Sequence, residues 1–143
     1  MRQILAIVVH HTERDGSTAR SIRRYHVLTL GWADAGYHCL VLPTGERQQL
    51  RADKRQGAHT PGFNKGTLAL VFAGDLDKHP PSGPAWVEAV EQAADWCEEY
   101  RVHWSSIFGH RELAPGKTCP GTFVDMQAFR LAVFLELEAR RGA

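Results

Sequence analysis

ILAIVVHH, residues 4–11, is a run of six apolar residues closed by two histidines. A strand that faces solvent alternates apolar with polar residues, and this one does not, so Ile4–His10 predicts a strand buried on both faces. TLALVFA, residues 67–73, is a second such run. Tyr37–Leu42 predicts another strand, Pro43, Thr44 and Gly45 a turn, and Arg47–Leu50 a short edge strand pairing back on it. Val102–Phe108 predicts a last strand. Helical spacing fills the gaps. Ser17–Leu30 has Ser17 or Thr18 as its cap, Ile22, Tyr25, His26 and Leu30 along one face, and Gly31 just past its end. Pro84 starts a helix through Tyr100 that carries Trp86, Val90, Ala93, Ala94 and Cys97, and Phe123–Arg140 aligns Met126, Phe129, Val133 and Leu137. Strands alternating with helices predict one α/β domain over residues 1–143, a central mixed β-sheet flanked by helices.

The bulk properties agree and remove several classes of function. A chain of 143 residues, 43% hydrophobic and 23% charged, can bury about two-thirds of its unfolded surface in one core without disulfide staples. Its 17 basic and 16 acidic residues leave a formal charge of +1, so no polyanionic partner is indicated and no nucleic acid is expected. The densest basic stretch, Arg47 to Arg55, is interrupted by Gln48, Gln49, Leu50, Ala52 and Asp53 and reads as solvated surface. The six apolar residues before His10 are too few for a signal-peptide core or a bilayer span. The expectation is a product made in the cytoplasm, with no membrane partner.

Cys39, Cys97 and Cys119 are odd in number and widely spaced, which argues against a disulfide framework. Cys39 and Cys97 fall at apolar positions. Cys119 lies in GHRELAPGKTCPG, residues 109–121, where His110 and Cys119 stand nine positions apart on a loop whose shape glycine and proline restrict. Imidazole nitrogen with cysteine sulfur suits zinc, and one more ligand from a distant strand would make a three-ligand catalytic site with a position left for water. Strand alternation allows only one of His10 and His11 to be that ligand. Read from spacing alone, a Cys119 buried behind Pro120 without metal is an equal alternative.

VVHHT (8–12), DAGYH (34–38), GAHTPGFNKGTLAL (57–70) and GHRELAPGKTCPG (109–121), in this order, resemble the type 2 N-acetylmuramoyl-L-alanine amidases, a family of phage lysozymes, cytosolic muropeptide amidases and animal peptidoglycan recognition proteins. The resemblance spans residues 4 to about 130. It implies a zinc site in a surface cleft, with His10, His110 and Cys119 as ligands, His11 on the opposite face, and Tyr37 and Lys117 as catalytic groups. Lys117 would stabilise the oxyanion, and Tyr37 would hydrogen-bond the attacking water and help protonate the leaving nitrogen. His59 and Asn64 match the loop that lies against substrate. The reaction implied is hydrolysis of the amide between N-acetylmuramic acid and L-alanine in bacterial peptidoglycan, by a monomer holding one Zn2+, acting as a phage endolysin in the periplasm after the inner membrane is breached.

Two departures bear on mechanism. Gly116 looks like a one-residue insertion, and the glutamate that the cytosolic members carry on the strand matching TLALVFA is replaced here by Val71 and Ala73. Proton handling therefore falls to Tyr37 and Lys117. Glu112 is a candidate to orient His110 or else an exposed charge, and Arg47 or Arg51 to meet a stem-peptide carboxylate or else to be surface charge. Some relatives have lost the cysteine and only bind peptidoglycan, which makes a non-catalytic binding protein the rival reading. The RNA polymerase contact of one phage member is left open, since no residue here bears on it.

Overall fold

The computed structural model describes residues 2–142, and the two apolar runs lie side by side at its centre. β1 (Ala6–His11) pairs in parallel with β4 (Thr67–Phe72) on one side and with β5 (Ile107–Gly109) on the other. Beyond β4 lies β2 (Cys39–Val41), also parallel, and β3 (Arg47–Gln49) folds back on it antiparallel. The order β3-β2-β4-β1-β5 is the mixed sheet of a single α/β domain.

Both faces of β1 and β4 are covered, which is why neither strand alternates with polar residues. Ile7, Val9, Leu68, Leu70 and Phe72 point to the face packed by α2 (Gly83–Tyr100) and α4 (Met126–Arg141). Phe129 of α4 sits edge-on to both Phe72 and Trp86 and is fully buried. Burial of a side chain of this size contributes about 1.5–3 kcal/mol, and this large cluster carries most of the apolar stabilisation. Ser82 caps α2 by accepting from Ala85 N, with Pro84 in its first turn, and Asp125 caps α4 through Gln127 N and Ala128 N. The opposite face is thinner: Ile22, Ala35, Leu40, Leu50, Val71 and Ala73 form a small cluster under α1 (Ala19–Arg24). That thin cover leaves room for polar side chains at the carboxyl end of the sheet.

Three elements differ from the sequence expectation. The helix expected over Ser17–Leu30 is capped by Thr18, stays α-helical only to Arg24 and widens over Tyr25–Thr29 into a π-helical turn, where Leu30 N bonds Tyr25 O. The wider turn shifts the helical phase of the residues after Arg24, so Ile22 and His26 are buried while Tyr25 and Leu30 face solvent. The last strand is shorter than Val102–Phe108 because a 3-10 turn, Trp104–Ser106, precedes β5. α4 starts at Met126 rather than Phe123, since Asp125 provides the cap. No helix of the described residues is long and apolar enough to cross a membrane.

Candidate metal centre

The register of the parallel sheet assembles the site. Val9 stands beside Gly109, so the next residues, His10 and His110, leave two adjacent strand ends together with ring centroids 4.8 Å apart. α3 (His110–Leu113) then turns the chain away, and Arg111 draws the loop after it back. Its main-chain N–H bonds Cys119 O at 2.7 Å, and its guanidinium donates to the carbonyls of Thr118, Gly121 and Val124. Cys119 Sγ is thereby held 3.6 Å from His10 Nδ1, and it accepts a bond from His11 N at 3.4 Å.

One donor atom each from His10, His110 and Cys119 lies within 4.8 Å of the others. Zinc fits this set, because two nitrogens and a sulfur are its preferred ligands and three protein donors are one fewer than a closed structural site uses. His110 Nε2 is buried without a hydrogen-bond partner among the described residues, a state that costs free energy unless something binds there. Burial, reinforced by the neighbouring rings of His59, His110 and His11, holds the His10 pKa well below its usual value. Burial and the Lys117 charge lower that of His110. Both rings are therefore neutral ligands at neutral pH. Burial pushes the Cys119 thiol up to about 12, so a cation is what would draw it into the thiolate form.

His11 projects to the other face, as alternation requires, and its ring lies with Glu13 and Asp77 in a second group of metal-type side chains. That group fails a simple test. His11 Nδ1 accepts a bond from Leu76 N at 3.0 Å, so the neutral ring carries its proton on Nε2 and has no free lone pair to offer. Its role is to hold Leu76 N–H. His11→Ala is expected to lose about 1–3 kcal/mol of stability from the unsatisfied N–H alone, with zinc content unchanged, as denaturant unfolding and metal analysis would read. Loss of zinc in that variant would reverse the roles of the two histidines.

The remaining expected residues divide. The Tyr37 ring lies 5.2 Å from that of His10, and its side chain lines a groove of about 360 Å³ with Thr12, Glu13, Arg14, Ser17 and Tyr25. Burial, then the nearby Cys119, raises its pKa, so it remains a phenol across the neutral range. Lys117 is exposed on the loop between His110 and Cys119.

His59 and Asn64 do not line that groove. His59 is only 9% exposed and packs behind His10, with Nδ1 3.0 Å from His10 Nε2. Asn64 Oδ1 accepts from His59 N and Thr60 N at 2.9 and 2.8 Å, so its carbonyl holds the loop closed. Glu112 does not orient His110 either: it accepts from Gly109 N and from both terminal nitrogens of Arg130. Arg47 is spent on Glu88, Gln92 and Asp95, and Arg51 is buried against Gln56 O. Arg111, which ties the loop after α3 back beside the site, escaped the sequence reading. Arginine beside a turn rich in free carbonyls is a signal that could have been used, because its rigid fork of five donors suits such a task.

Known proteins are similar to this chain in sequence and in fold. A family model described as N-acetylmuramoyl-L-alanine amidase matches residues 1–122. Peptidoglycan-recognition protein SC2 of Drosophila melanogaster is 27% identical over 124 residues, covering 80% of this chain and 67% of its own. An endolysin of Klebsiella phage KP32 is 29% identical over 107 residues, covering 71% and 68%. Among solved structures, the N-acetylmuramoyl-L-alanine amidase LysC from Clostridium intestinale URNW superposes with a TM-score of 0.87 at 20% identity, over 93% of this chain and 87% of that one.

Proposed function

The chain belongs to the N-acetylmuramoyl-L-alanine amidase family, and on that premise we infer that it is a zinc-dependent hydrolase of the amide between N-acetylmuramic acid and L-alanine in bacterial peptidoglycan. The observation that carries the reading is the convergence of one donor atom each from His10, His110 and Cys119 within 4.8 Å of one another. These three side chains would hold zinc, which when bound polarises a carbonyl oxygen and makes water acidic enough to attack near neutral pH.

The chain's other residues supply what a metal cannot. Tyr37, kept protonated by burial, offers a hydroxyl that donates to the oxyanion formed as the carbonyl is attacked. Lys117, exposed on the loop between His110 and Cys119, would add positive charge near enough to lower the His110 pKa. No carboxylate comes from β4 or the residue after it, where Val71 and Ala73 are buried and apolar, so protonation of the leaving alanine nitrogen falls to water and Tyr37. The groove beside Tyr37 has the size of a small-ligand site and would seat the muramyl peptide.

The phage relative, an endolysin, supports a role in host lysis; action as a monomer belongs to the same proposal. The animal relatives support the rival reading, a protein that binds peptidoglycan without cutting it; against it stands Cys119 Sγ at 3.6 Å from His10 Nδ1, since a binding surface has no need of that ligand. Digestion of purified sacculi with mass spectrometry of the products tests the choice. Free stem peptides beginning with L-alanine, lost on chelation, are expected. Cleavage of glycan or peptide bonds instead, or binding with no product, would overturn the reading.

A further inference from the structure

We propose that Thr67 and His59 form a hydrogen-bond relay that fixes which nitrogen of His10 carries its proton, and so sets the affinity of this chain for zinc. The proposal rests on His10 being a metal ligand. It concerns residues behind that ligand, whose side chains do not face the groove.

The relay is deduced from its far end, where only one assignment is possible. Thr67 Oγ1 lies 2.6 Å from Phe63 O, and a carbonyl can only accept, so the single hydroxyl proton of Thr67 is committed there. Thr67 Oγ1 is left as an acceptor, 3.1 Å from His59 Nε2, so His59 Nε2 carries a proton. His59 is a neutral ring in a buried place, and a neutral imidazole has one N–H. His59 Nδ1 is therefore a bare lone pair. It faces His10 Nε2 at 3.0 Å and Thr60 Oγ1 at 2.9 Å. His10 Nε2 must bring the proton to this contact. The Thr60 hydroxyl, 3.3 Å from the same nitrogen, agrees with either path, because it can accept from His10 and donate to His59. With its proton on Nε2, neutral His10 has its lone pair on Nδ1, the atom that faces Cys119 Sγ.

The opposite tautomer would set two lone pairs against each other at 3.0 Å and point an N–H at the metal position. Strand β4 thus acts on the ligand through the loop: Thr67, in register with Ala6 at the start of the sheet, governs a histidine at its carboxyl end. The architecture matches the general rule that a metal-bound histidine donates its other N–H to a fixed acceptor, with a neutral imidazole here in the place of the usual carboxylate or carbonyl. His59 and Thr67 are positioning residues.

Thr67→Val and Thr67→Ser decide it, both in the full chain. Valine removes the acceptor and frees His59 to carry its proton on Nδ1, which drives the His10 proton toward the ligand atom. Serine keeps the hydroxyl. Competition for zinc with a chromophoric chelator is expected to show affinity about 10- to 100-fold weaker for Thr67→Val and near wild type for Thr67→Ser. Nitrogen-15 chemical shifts of the His10 ring in the metal-free wild-type protein are expected to report a protonated Nε2 and a bare Nδ1, a signature that loss of packing alone would not produce. The shifts stand by themselves if the valine variant fails to fold. Equal zinc affinity in both variants, or a wild-type His10 protonated on Nδ1, would sink the relay while leaving the metal site intact. A wild-type chain with no measurable zinc affinity sinks the metal reading and the relay together.

Discussion

Cys119→Ala is expected to release zinc and to lower amidase turnover by at least about 10³-fold, since a bound metal stabilises transition-state charge by several kcal/mol. The cysteine is the one anionic ligand of the proposed set, and its removal leaves two neutral imidazoles to hold the ion. Folding should survive. Cys119 is a small buried side chain, and its replacement costs about 1–3 kcal/mol through His11 N, which donates to Sγ at 3.4 Å and is left without an acceptor. Cys119→Asp, which restores a negative oxygen ligand, is expected to recover part of the zinc content and turnover. Metal analysis and the sacculus assay on the same preparations read both. An alanine variant with one zinc per chain and near-normal turnover would remove Cys119 from the centre.

Tyr37→Phe and Lys117→Ala are the next largest, each expected to reduce turnover by about 10²- to 10³-fold with zinc retained, because each would delete a group proposed to meet charge that develops only in the transition state. Phenylalanine preserves the ring that packs 5.2 Å from His10, so that substitution removes a hydroxyl and nothing else. Lys117 is exposed, and its loss should leave stability nearly unchanged. Its removal also lifts one of the positive influences on His110, which is expected to move that ring's pKa upward in the metal-free protein. Turnover measured at saturating substrate separates these effects from binding. If either variant keeps more than about half of wild-type turnover, its side chain is outside the chemistry, because the loss of a transition-state contact appears in turnover first.

TLALVFA and ILAIVVHH lack alternation, which only a strand covered on both sides tolerates, and they are the central pair of the sheet. The fold-back of Arg47–Gln49 came from Pro43–Gly45, a turn chemistry that is local and therefore legible in the sequence. The π-helical turn at Tyr25–Thr29 was not legible, because its residues keep helical spacing and their exposure depends on what the wider turn presents to the core. His59 and Asn64 were recognised as belonging near the site. Which way they face is not legible, since a histidine in a Gly/Pro-rich loop looks the same in sequence whether it faces solvent or the back of another histidine; in the structure His59 packs behind His10 and Asn64 holds its loop.

What the sequence by itself determined is the set of local and periodic facts: an α/β chain, the strand that ends in two histidines, the loop that carries His110 and Cys119, and the nitrogen and sulfur side chains proposed here as ligands. These depend on residue type and on spacing within one element. What only the tertiary structure decided is which atoms of those residues are free to act. His10 and His11 are chemically identical neighbours. One has its Nδ1 capped by Leu76 N, and the other has its Nε2 engaged by His59 and its Nδ1 open to Cys119. An imidazole has one proton and two nitrogens, so its function is set by whichever partner holds the other end, and those partners lie 49 to 109 residues away in the chain.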